Sequence, residues 1–230
     1  MPAPLHQTVM IPGPAGQIEA LLWFTAEPEK RVPPFAAVLC HPHPLFGGTM
    51  HNKVVYHAAK TIHQFGVPVA RFNFRGVGNS EGTHDEGRGE VDDALAVMNF
   101  VAQKYRGAPL LVAGFSFGAW VGSRAGCGDP RVTELICLGL PVSGGDPRDF
   151  SYLAGCEKPK LFVTGEFDRF GPPRVLRALV ETFPPEVRRL SEVKVVPGGD
   201  HFFTGHLEES DRSISEWLLE RHRALSVRQG

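Results

Sequence analysis

Six short, mostly apolar runs recur along the chain: FAAVLC, VPVARFNF, PLLVAGF, ELICLGL, PKLFVTG and EVKVV. Each has the length of a strand and too few polar residues to leave one face in water, the pattern of strands buried on both faces. Stretches of helical character fall outside these runs, over residues 53–65, 90–105, 117–126, 173–182 and 208–223. Strands that alternate with helices predict an α/β protein, with a mostly parallel central sheet and helices on both faces. Ahead of the series, HQTVMI and QIEALLWF alternate well enough to form an antiparallel pair across the turn PGPAG. The chain of 230 residues, 42% hydrophobic and 21% charged, can bury a sizeable core.

A sheet of this kind binds its ligands at the carboxyl ends of its strands, so functional side chains are expected just after each apolar run. Two segments fit G-x-S-x-G, GNSEG at 78–82 and GFSFG at 114–118. Their settings separate them. Ser116 follows the run PLLVAGF and precedes a helical stretch, the strand–sharp turn–helix setting of a nucleophile elbow. Gly114 and Gly118 let strand and helix approach closely, and the Phe117 amide falls at a helix N-terminus, where it can donate to an oxyanion. Ser80 lies several residues past a strand end with no helix after it, and is expected in a glycine-rich loop at the edge of the site. GVGNSEG also fails as a dinucleotide fingerprint, because Glu81 stands where a third glycine is needed.

A serine nucleophile needs a base, and the base an orienting acid. Asp168 follows PKLFVTG and His201 follows EVKVV, so the order along the chain is Ser116, Asp168, His201. Glu166, Asp146 and Asp149 compete for the acid role, His206 competes with His201, and Asp200 could be mistaken for the acid. All three favoured residues fall after strands, which supports the set jointly. Such chemistry calls for no cofactor.

These segments carry a resemblance. GFSFG, GEFD and GGDHFF resemble the elbow, acid and histidine loops of the α/β-hydrolase fold. HPHPLFGGTMHNKVV and RFNFRGVGNSEG resemble the small lidless branch near dienelactone hydrolases and bacterial carboxylesterases. The resemblance runs from about residue 16 to 220 and implies one α/β-hydrolase domain over residues 1–230 with no large cap domain. It also implies a carboxylesterase-type serine enzyme acting on a small-molecule ester. Dienelactone hydrolases proper carry cysteine at the elbow; Ser116 here favours ordinary esters.

In the resembling family, the loop after the third strand gives the second oxyanion donor, which is HPHP at 41–44 in this chain. Pro42 and Pro44 have no N–H, which leaves His43, Leu45 or a later residue, with the His43 and Leu45 amides favoured. His41 and His43 form an H-x-H pair, but no convincing cluster supplies further metal ligands, and a structural role for His41 on loop backbone is the plainer expectation. Leu45, Phe46, Phe117, Phe170, Phe202 and Phe203 are candidate pocket walls, each of which could instead be ordinary core. Only residues 143–159 separate the sixth and seventh core strands, too few for a cap domain, so an open site suited to short-chain acyl esters is expected.

Formal net charge is −1 with Lys and Arg spread along the chain, which gives no case for nucleic acid or an anionic membrane as partner. No apolar run reaches the length of a membrane span, and the N-terminus has no basic start followed by a continuous apolar stretch. With no C-x-x-C among the four cysteines, the expectation is a cytoplasmic protein with reduced thiols. Oligomeric state has no signature. Peptide or amide hydrolysis on the same triad is the alternative activity, and a non-catalytic binding module a more distant one.

Overall fold

The computed structural model describes residues 5–24, 32–143 and 149–222. Eight strands form one sheet in the order β1-β2-β4-β3-β5-β6-β7-β8. β1 (Leu5–Gly13) and β2 (Gly16–Phe24) are the expected antiparallel hairpin, and β2 also runs antiparallel to β4 (Val69–Phe72). β3 (Ala36–Cys40), β5 (Leu110–Phe115), β6 (Val132–Leu138), β7 (Lys160–Gly165) and β8 (Ser191–Val196) complete the sheet, all parallel with β4.

The two-residue period of a strand divides its side chains between two cores. Ala36, Val38 and Cys40 of β3 face one cluster, with Leu110 and Val112 of β5. Ala37 and Leu39 face the other, with Leu111, Ala113 and Phe115. The first cluster packs under α2 (Arg88–Lys104), α3 (Phe117–Gly128) and α4 (Pro173–Glu181). The second packs under α1 (Lys53–His63) and α6 (Leu207–Arg221), which also contact each other. The short α5 (Pro185–Arg188) precedes β8. Among the described residues no helix is long and apolar enough to cross a membrane.

Several boundaries move for identifiable reasons. The run VPVARFNF yields only β4; just past its end the Asn73 side chain accepts the Met50 amide and donates to the Glu19 carboxylate. β6 ends at Leu138, ahead of the run's last two residues, since Gly139 turns the chain with φ +53°. β8 is buried on both faces only at Val196; as the edge strand it has a neighbour on one side alone, and its other residues are half-buried. Asp93 of α2 lies fully buried and takes a two-pronged bond from Arg75 at 2.8 and 3.0 Å. Glu90 serves the helix start, accepting the Gly87 amide at 2.8 Å.

Candidate active site

The end of β5 delivers Ser116 in a backbone conformation of φ 55° and ψ −121°, a region that non-glycine residues enter only under strain. α3 begins at the next residue, so the Phe117 amide lies in the helix's first turn, at its positive end. The elbow needs Gly118: a Cβ there would stand 2.4 Å from the carbonyl oxygens of Cys40 and His41 at the end of β3. The Ser116 amide is tied to Leu138 of β6 at 2.8 Å, which fixes the turn to the neighbouring strand.

Asp168 and His201 follow β7 and β8, and the structure brings both to Ser116. The Ser116 hydroxyl lies 2.9 Å from His201 Nε2, and His201 Nδ1 lies 2.9 and 3.0 Å from the Asp168 carboxylate oxygens. Asp168 is buried and its Oδ1 also accepts the amides of Phe170 and Gly171, at 2.8 and 2.9 Å. Those bonds hold the carboxylate in plane for the imidazole. Because a carboxylate accepts, Nδ1 carries the proton and Nε2 is left to accept from the serine.

The competing residues go elsewhere. Glu166 accepts the Gly198 amide, and Asp149 caps its own turn through Ser151. Asp146 lies outside the described residues. Asp200 accepts the amides of Phe202 and Thr204, which shapes the turn bearing His201; the Thr204 amide, acting against a small burial penalty, holds its carboxyl below the ordinary range. The His206 ring rests against Gly198, with Nδ1 3.9 Å from Glu209.

A cavity of about 380 Å³ opens beside Ser116 and His201. Phe46, Phe170 and Phe202 line it while remaining 86%, 55% and 53% exposed, and Phe117 forms its floor. Two expected walls do not reach it. Leu45 is exposed to solvent and lines no part of the cavity, and Phe203, at φ 53°, is buried in the core with α1 and α6. Asn52 lines the cavity although its sequence signal is only that of a helix cap, which it also is, accepting the amides of Val54 and Val55.

The HPHP segment leaves β3 and closes into a single 3-10 turn over Pro44–Phe46. The Leu45 amide donates to His43 Nδ1 at 3.3 Å, within its own turn. The buried His41 has both ring nitrogens engaged, at Pro42 O and the Phe74 amide, so the H-x-H pair has no lone pair to turn toward a metal from that residue. Burial lowers its pKa to about 4.

Ser80 lines no part of the cavity. Its hydroxyl donates to Asn73 O at 2.7 Å and accepts the Glu19 amide at 2.9 Å. Glu19 in turn binds Asn73 and Asn79, so the GNSEG loop is fastened to the antiparallel edge of the sheet. Burial raises the Glu19 pKa, but the Asn79 and Asn73 bonds outweigh it and hold the carboxyl below its ordinary value.

A family model described as an α/β hydrolase domain matches residues 37–226. An uncharacterized protein of Rickettsia prowazekii is 37% identical over 209 residues, which span 90% of this chain and 86% of that one. The structure is similar to an α/β serine hydrolase homologue from Coxiella burnetii, at 36% identity and a TM-score of 0.82, over 92% of this chain and 97% of the other. It is also similar to an α/β serine hydrolase without lid from Xanthomonas campestris, at 31% identity and a TM-score of 0.81, over 100% and 99% of the two chains.

Proposed function

Because the chain belongs to the α/β-hydrolase family, in its small lidless form, we propose that it cleaves carboxylic esters of short, uncharged acyl groups through a covalent acyl-enzyme. The observation that carries this reading is the relay from Ser116 Oγ through His201 to Asp168, every link within 3.0 Å. His201 Nε2 takes the serine proton as Oγ attacks the ester carbonyl. Asp168 holds the imidazole in the needed tautomer and stabilises its charged form. The negative charge that develops on the carbonyl oxygen is met by the Phe117 amide and an amide of the HPHP loop. The loss of one such donor typically costs about 2.7–4 kcal/mol of barrier. His201 then protonates the leaving alcohol, and water repeats the sequence to free the acid.

The cavity supports the choice of ester. Phe46, Phe117, Phe170 and Phe202 give its wall an apolar character, with Ser116 and His201 as convergent polar groups. Its modest volume suits a short acyl chain. Hydrolysis of 4-nitrophenyl butyrate and of a chromogenic peptide anilide, assayed side by side, tests the assignment. Turnover of the ester with little of the anilide is expected, and anilide turnover without ester turnover would replace esterase by peptidase.

A further inference from the structure

His41 is a buried histidine beside the site with both ring nitrogens engaged, and the relay above does not use it. It is fully buried at the end of β3, its ring 4.7 Å from that of Phe74. Its partners fix its tautomer without appeal to charge. The Phe74 amide can only donate, so Nε2, at 3.0 Å, must accept. The Pro42 carbonyl can only accept, so Nδ1, at 2.6 Å, must donate. The ring therefore braces the HPHP loop between the ends of β3 and β4.

The carbonyl it holds belongs to the peptide that joins Pro42 to His43. In a trans peptide the C=O and N–H point in opposite directions, so whatever pins one aims the other. We propose that His41 is a positioning residue of the oxyanion hole: by holding the Pro42 carbonyl from the protein side, it turns the His43 amide of the same peptide toward the carbonyl oxygen of the substrate. The proposal rests on the esterase reading and deepens it.

Three observations favour His43 over Leu45 as that donor. His43 lines the cavity beside Ser116 and Phe117, whereas Leu45 does not. The Leu45 amide is directed at His43 Nδ1. The His43 carbonyl is also pinned, accepting the amides of Phe46 and Gly48 at 3.1 and 3.0 Å, so the peptides on both sides of His43 are held. Gly48 permits this closure, since a Cβ there would stand 2.0 Å from the Pro42 oxygen. A hydrogen bond accepted by a peptide carbonyl also polarises its N–H, so the His41 bond strengthens the donor it aims.

The test compares kcat and KM for 4-nitrophenyl butyrate in the unmodified protein, His41→Leu and His41→Asn. Leucine fills the space without a donor; the asparagine amide can reach the Pro42 oxygen from nearly the place of Nδ1. His41→Leu should lower kcat about a hundredfold, the loss typical of a misplaced oxyanion donor, with KM changed by less than about threefold. His41→Asn should recover about tenfold of that loss. A folded His41→Leu with unchanged kcat, or a loss confined to KM, would overturn the proposal. A second measurement needs no variant: phenylboronic acid added to Ser116 should shift the amide resonances of His43 and Phe117. A shift at Leu45 with His43 unmoved would overturn it equally. An unmodified protein that cleaves no ester would instead defeat the esterase reading, a distinct result.

Discussion

His201 Nδ1 faces both oxygens of Asp168, at 2.9 and 3.0 Å, and the same carboxylate is held from behind by the amides of Phe170 and Gly171. Only the ionised carboxylate accepts all of these bonds. Asp168→Asn would present an N–H₂ group to one of these donors or force His201 into the wrong tautomer. The expected outcome is a fall in kcat of about 10³–10⁴-fold with little change in KM, measured on a short-chain ester.

Ser80 and Ser116 sit in the same five-residue pattern, and their hydroxyls have different tasks. The Ser80 hydroxyl joins Glu19 of β2 to Asn73 at the end of β4. Ser80→Ala would leave a buried N–H and C=O each short of a partner, so stability should drop by about 1–3 kcal/mol in urea unfolding. Reactivity at Ser116 should persist in the folded fraction.

Gly118 meets the end of β3 with no room for a side chain. Gly118→Ala would push α3 away from the carbonyls of Cys40 and His41, moving the Phe117 amide with it. A loss of about 10²-fold in kcat is expected from displacement of that donor. The overpacking itself should cost about 1–3 kcal/mol of stability, read by thermal or urea unfolding.

Burial holds His41 at a pKa of about 4 against an ordinary value of 6.5, so between these limits the unfolded chain binds a proton that the folded chain does not. Stability therefore rises with pH across that window. The contribution is complete above pH 6.5, falls as pH drops toward 4, and changes no further below it. The slope should reach about 1.4 kcal/mol per pH unit from this group. Urea unfolding from pH 4 to 7 should show the slope in the unmodified protein and a flatter curve in His41→Asn.

What the sequence disclosed is what local pattern can carry. FAAVLC and PLLVAGF, short and apolar, do form strands buried on both faces, and the three side chains expected after three strands do meet in one hydrogen-bonded series. What it withheld depends on contacts between distant segments or on single backbone angles. EVKVV reads as one more mostly apolar run, yet the sheet order makes it the edge strand, with Glu192 and Lys194 only half-buried. Phe202 and Phe203 are indistinguishable as letters, yet the positive φ at Phe203 sends one ring to the cavity and the other to the core. Glu19, which donates its amide to Ser80, and Arg75, which binds Asp93, lie 61 and 18 residues away along the chain, beyond the reach of any helical or strand period.

The central claim is that Ser116 is an activated nucleophile only in the folded protein. Mass-spectrometric mapping of a fluorophosphonate probe, on native protein beside a heat-denatured control, addresses it most directly. The account predicts a single adduct, on Ser116, that is absent after denaturation. A protein shown by circular dichroism to be folded, yet without an adduct on Ser116, would contradict it.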